Sequence, residues 1–229
     1  MKSLFWGLLF SIFNIATAQA QWHYARCFDD FMQGRWIQMD TVFLKQHGKG
    51  HKQGESGSFT LTTGDKNTDK LMVKEAFAVA KGDTVFLNCR KLCYDNVKFG
   101  KGYVLARRIG HKSLLFANGL IDKKDANSTV LTFGIAFGAI GGALAAASLR
   151  PRKDNKQQVC YLISQGEDRK GMVNVRILND ALIEQMLEGH SQLLYEYTTA
   201  PEETERMEAS RVVPLLEKAG LFEQWKEAQ

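Results

Sequence analysis

Apolar residues in the first half of the chain come in short runs, broken every few positions by Gly, Asn, Asp or a charge. Phe59–Thr62, Leu71–Val73, Thr84–Leu87, Gly102–Arg107 and Ser113–Ala117 are such runs, and their length and composition predict strands. Gly82-Asp83 and Gly110-His111 predict turns between them. Arg26–Met32 predicts a short helix. Further on, Val159–Ile163 and Val173–Ile177 read as two more strands. In the second, Val173, Val175 and Ile177 alternate with Asn174 and Arg176, the pattern of a half-buried strand, and the polar residues between the two suit a hairpin.

The period then changes. Leu182, Ile183, Met186 and Leu187 share one helical face behind a capping Asn179 or Asp180, with Gly189 as the stop. Thr199-Ala200-Pro201-Glu202 matches a capping box, and Glu202, Glu203 and Glu205 suit the positive end of a helix dipole. Val212, Val213, Leu215, Leu216 and Ala219 mark a last apolar face ending at Gly220, with Pro214 predicting a kink or break.

One stretch departs from both patterns. Thr129–Leu149 carries no charge, is rich in Gly and Ala, and is followed at once by Arg150, Arg152 and Lys153. As a helix rising ~1.5 Å per residue it would span about 31 Å, close to the hydrocarbon thickness of a bilayer. Gly134, Gly138 and Gly142 repeat every four residues and form a smooth face for close helix packing. The expectation is an apolar Gly-zipper helix, associated with a membrane or with another apolar helix. Arg150, Arg152 and Lys153 would then mark the headgroup boundary. A crossing helix would place residues 21–128 outside and the basic side in the cytoplasm. If strands on both sides share a sheet, the stretch instead lies on or dips into a membrane. A buried position in a soluble domain is the alternative.

The N-terminus reads as a secretory signal peptide. Lys2 gives the positive start, Leu4–Ala16 the apolar core and Ala18-Gln19-Ala20 the small-residue cleavage pattern. The expected organisation is a signal peptide over 1–20, a β-rich domain over 21–128, the apolar helix over 129–149, and a β-hairpin with C-terminal helices over 150–229 packing on the same domain or apart. The fold class is α+β: an antiparallel β-rich N-terminal part, a Gly/Ala-rich apolar helix, a short β-hairpin and C-terminal helices.

The net charge is +5 and dispersed, and with an extracytoplasmic address and no recognition motif nucleic acid is not an expected partner. Cys27, Cys89, Cys93 and Cys160 allow two disulfides or four thiols. His47 and His51 are four residues apart, but the glycines between them argue against a helix and no third ligand stands out, so no metal or cofactor is expected. Asp29-Asp30 is a poor catalytic pair, because adjacent side chains diverge in any regular element. Phe99-Gly100-Lys101-Gly102-Tyr103 lacks the full phosphate-loop pattern. The aromatic cluster of Trp22, Tyr24, Phe28, Phe31 and Trp36 reads as core.

Asp83–Asn88, Phe99–Ala106 and the Gly/Ala-rich stretch together resemble an uncharacterised family of exported proteins of Gram-negative bacteria. The resemblance implies the address and organisation above, and no activity. The expected function is that of a non-enzymatic, membrane-associated structural or interaction protein of the cell envelope, with a second copy of the chain as a further candidate partner. A soluble periplasmic or secreted binding module is the alternative, followed by a hydrolase with scattered site residues.

Overall fold

Alternation explains the architecture. The computed structural model describes residues 21–46, 58–110, 113–121, 158–164, 166, 171–200 and 202–223. The described elements, in chain order, begin with strand β1 (Trp22–Ala25), helix α1 (Phe28–Met32), β2 (Ile37–Met39), β3 (Phe43–Gln46) and β4 (Phe59–Thr62). Next come α2 (Lys66–Glu75), β5 (Ala78–Lys81), β6 (Thr84–Asn88), β7 (Leu92–Tyr94), β8 (Val97–Lys98), β9 (Tyr103–Ile109) and β10 (Ser113–Gly119). After residues 122–157 follow β11 (Gln158–Ile163), β12 (Val173–Asn174), β13 (Arg176–Ile177), α3 (Asp180–Met186) and α4 (Ser191–Thr198). The last described elements are α5 (Glu203–Arg206), α6 (Ala209–Lys218) and β14 (Phe222–Glu223).

Eleven of the described strands form one antiparallel sheet with the main order β13-β11-β10-β9-β6-β5-β1-β2. Successive side chains point to opposite faces, and both faces are covered. In β10, Leu114 and Phe116 enter one core cluster while Leu115 enters another. In β11, Val159, Tyr161 and Ile163 alternate with Cys160 and Leu162 in the same way. Burial on both sides is why these strands read as continuous apolar runs rather than alternating ones.

The first face packs on α1 and on a small sheet of β12, β7 and β8. The β7–β8 turn uses Asp95 and Asn96, both at positive φ (49° and 66°), as a tight two-residue hairpin requires. At one end of the second face, α3, α4 and α6 cover the sheet; at the other, α2 and the β3–β4 pair do so. Leu105 of β9 is exposed on this face, between Tyr103 and Ile109, which belong to the two different clusters.

Several expectations are corrected. Leu71–Val73 lies inside helix α2, not in a strand. The Asp65 side chain accepts from the Thr68 amide at 2.7 Å and starts the helix, and of its residues Met72 is buried. Val173–Ile177 is not one strand: β12 joins the small sheet, and the expected antiparallel pairing with Val159–Ile163 is made by β13 alone, with Ile177 opposite Tyr161 and Arg176 opposite Leu162. The alternation is real, but the backbone partner changes at Val175, whose amide donates to the Cys93 carbonyl at 2.9 Å.

Thr199 does not open a capping box. Its hydroxyl donates to the Glu196 carbonyl at 2.7 Å, at the end of α4, and α5 begins behind Glu202 without a side-chain cap bond. Pro214 does not break α6, which runs through it from Ala209 to Lys218. The lost bond to the Ser210 carbonyl is outweighed by burial of Val212, Leu215 and Leu216 on the sheet. Asn179 caps α3 as expected, accepting from Leu182 at 3.1 Å. Gly220 at φ +66° ends α6 with paired bonds from Gly220 to Glu217 and from Leu221 to Leu216, a Schellman closure.

Candidate functional site

Strands β10 and β11 pair through six residues, from Leu114 opposite Ile163 to Gly119 opposite Gln158. Residues 122–157 are therefore an insertion between two neighbouring strands. Its departure side is pinned by one side chain. Tyr161 is fully buried, stacks on Phe116, and meets Phe99 and Tyr94 edge-on. Its hydroxyl donates to the Gly119 carbonyl at 3.0 Å and accepts from the Ile121 amide at 3.1 Å. Burial pushes this hydroxyl far above the ordinary tyrosine range, so it stays protonated and can do both.

Beside this root runs an open groove of about 540 Å³, lined by Ala117, Gln158, Glu208, Ala209, Ser210, Val213 and Pro214. Helix α6 forms one wall, and a bridge between Val159 and Glu208 fixes its start against β11. Four of the seven are apolar, and the Glu208 carboxylate accepts from the Ser210 hydroxyl at 3.2 Å.

A second concavity of about 350 Å³ lies where the edge of β9 passes from β6 to β14. Arg107 sits 4.4 Å over the Phe222 ring and 3.0 Å from Glu217, while Arg108 approaches Glu223 at 3.5 Å. The hydrogen bond from Arg107 holds the Glu217 carboxyl below its ordinary range. These contacts tie α6 and β14 to the sheet; among the described residues, no histidine, serine or thiol lines the cleft.

Elsewhere, polar groups serve the scaffold. Asp180 accepts from the Tyr197 hydroxyl and from Arg206, whose guanidinium Nε lies at 3.1 Å, joining α3, α4 and α5. Asn88 donates to the carbonyls of Val73 and Ala76 at 3.1 and 2.9 Å and so closes the end of α2. Sequence reasoning missed both. A signal existed in each case: a tyrosine or asparagine within an apolar run needs a partner once buried.

Of the residues singled out from sequence, Gly134, Gly138, Gly142, Arg150, Arg152, Lys153, His47 and His51 lie outside the described residues, as does the stretch 1–20 expected to be a signal peptide. Asp29 and Asp30 fall in the first turn of α1. Asp30 is buried, and a hydrogen bond from Arg35 is the main reason its carboxyl lies below the ordinary range. Phe99–Tyr103 is a turn leading into β9, with Gly100 and Gly102 at positive φ. Trp22, Phe28 and Phe31 are core. The cysteines carry thiols rather than disulfides, and burial pushes Cys160 up to about 12. Among the described residues, no group of His, Cys, Asp and Glu is arranged to hold a metal, and no helix is long and apolar enough to cross a membrane.

Fold and site together define a β-rich α+β protein built on one large antiparallel sheet, with one described concavity lined by paired charges and another mainly by small and apolar residues. The chain belongs to a family of unknown function, DUF6563, whose family model matches residues 24–223. No curated protein and no solved structure matches it.

Proposed function

We propose that this is an exported, non-enzymatic interaction protein of the cell envelope whose sheet scaffold presents residues 129–149 to a membrane surface or to an apolar partner helix. The observation that carries this reading is the β10–β11 register: the chain leaves the sheet after Gly119 and returns at Gln158, its direct partner. Both ends of the insertion thus start from one place. A single bilayer crossing would strand Arg150 on the far side, and residues 150–157 would have to recross. Each Arg or Lys at the bilayer centre costs about 2.5–3.5 kcal/mol even by the lowest scales, and that segment holds four. An intact sheet therefore favours an insertion that lies on or dips into its target, with Arg150, Arg152 and Lys153 at the headgroup boundary and Gly134, Gly138 and Gly142 as the contact face.

The test compares the full chain with a variant in which 122–157 is replaced by a short Gly-Asn linker. Membranes washed with alkaline carbonate should retain the first and release the second, with matching circular dichroism. Equal retention of both would overturn the proposal. Gly138→Leu should weaken retention and any crosslinked oligomer, because it fills the close-contact face.

A further inference from the structure

The groove at the insertion root has no described side chain filling it, and its chemistry points to one occupant. Of its lining residues Ala117, Ala209 and Ser210 are small, and Val213 and Pro214 add apolar surface. Such a surface lets a second backbone approach closely, which is what a repeat of glycines every fourth residue also provides. Gln158, the first described residue after the insertion, itself lines the groove. From Leu149 to Gln158 the chain can span at most about 30 Å, which leaves the groove within reach of 129–149. Charge agrees as well. Glu208 lines the groove, and Arg150, Arg152, Lys153 and Lys156 shortly precede Gln158.

We infer that the groove between α6 and the β10–β11 root is the seat of the chain's own residues 129–149 when they are not engaged elsewhere. An uncharged stretch of this length exposed to water is an aggregation hazard, and burying one face of it lowers the apolar area that water must meet. At about 540 Å³ the groove holds one face of a helix, not its whole girth. The seat is thus partial, and a membrane or partner competes with it. This inference rests on the reading of 129–149 as an association segment, but its test is separate.

The test is disulfide scanning in the full-length chain without membranes. Ser210→Cys, a near-isosteric change at an exposed position, serves as the anchor, in a Cys27→Ser background. Single cysteines are placed in turn from Gly134 to Ala146. The inference expects crosslinks within one molecule, strong at positions three or four apart and weak between. Leu105→Cys, exposed on the same sheet face outside the groove, should give none. A second variant, Val213→Asp, should speed protease cleavage within 129–149 about tenfold, as expected when a local docking equilibrium is lost. No crosslink, crosslinks equal to the Leu105→Cys control, or crosslinks only between two molecules would each overturn it. Retention on carbonate-washed membranes reports on the association reading alone.

Discussion

The buried hydroxyl of Tyr161 holds the amide of Ile121 at 3.1 Å, although the two residues lie on opposite sides of a long insertion. This bond and its companion to Gly119 decide how rigid the root is. The side chain thus adds two bonds to the backbone at the corner where the strands part.

Tyr161→Phe keeps the ring stack and removes only the oxygen. It leaves the Ile121 amide buried without its acceptor, which should cost about 1–3 kcal/mol. Urea unfolding followed by tryptophan fluorescence measures the loss. Hydrogen exchange at Ile121 should accelerate more than at Leu115 in the middle of β10. Unchanged exchange at Ile121 would mean that the clamp is not what holds the corner.

Asn88 joins strand β6 to the end of α2 from within the core, at 1% exposure. Asn88→Ala should destabilise by about 1–3 kcal/mol, because helix carbonyls lose donors that water cannot readily replace. Asn88→Asp should be worse: it removes the same donors and adds a buried charge. Thermal melts of the two variants order them. An aspartate variant as stable as the parent would refute the capping role.

Asp180 sets an acid limit on the helical layer. Burial raises its carboxyl, but the hydrogen bonds from Arg206 and Tyr197 outweigh this and leave it below its ordinary 3.8. A folded value below the unfolded one means stability is present above pH 3.8 and is lost as pH falls through the lower folded value. Asp180→Asn should lower stability near neutral pH and flatten the acid limb of a stability-against-pH curve. An acid limb of unchanged steepness would assign the effect to other carboxylates.

The thiols should differ sharply in reactivity. Cys89 and Cys160 are buried, and burial raises both thiols, so little thiolate forms near neutral pH. Cys27 is half-buried. Alkylation of the native protein at pH 8, read by mass spectrometry, should label Cys27 well before Cys89 and Cys160. Early labelling of Cys160 would show that β11 opens readily.

Much of the sheet was legible because its strands are short, apolar and punctuated. Thr84–Leu87 and Ser113–Ala117 fall within β6 and β10, and Gly102–Arg107 overlaps β9 from Tyr103 on. The apolar run of α2 was misread because Leu71-Met72-Val73 is too short to show a helical period, while its start signal, Asp65, sits six residues upstream. Strands such as β5 escaped notice because Ala78-Val79-Ala80 carries little hydrophobic bulk and is defined by its neighbours β1 and β6. The division of Val173–Ile177 depends on which distant strand each residue meets, and no local pattern records that. The root of the insertion was visible only as a condition, since pairing across residues 122–157 is a long-range fact.

The register at Gly119 and Gln158 also makes the molecule separable into two pieces. A cut anywhere in 122–157 would yield one fragment ending in β10 and another beginning with β11, still held by a six-residue ladder and by two shared core clusters. Such a protein can be nicked and remain assembled, or be expressed as two chains that find each other.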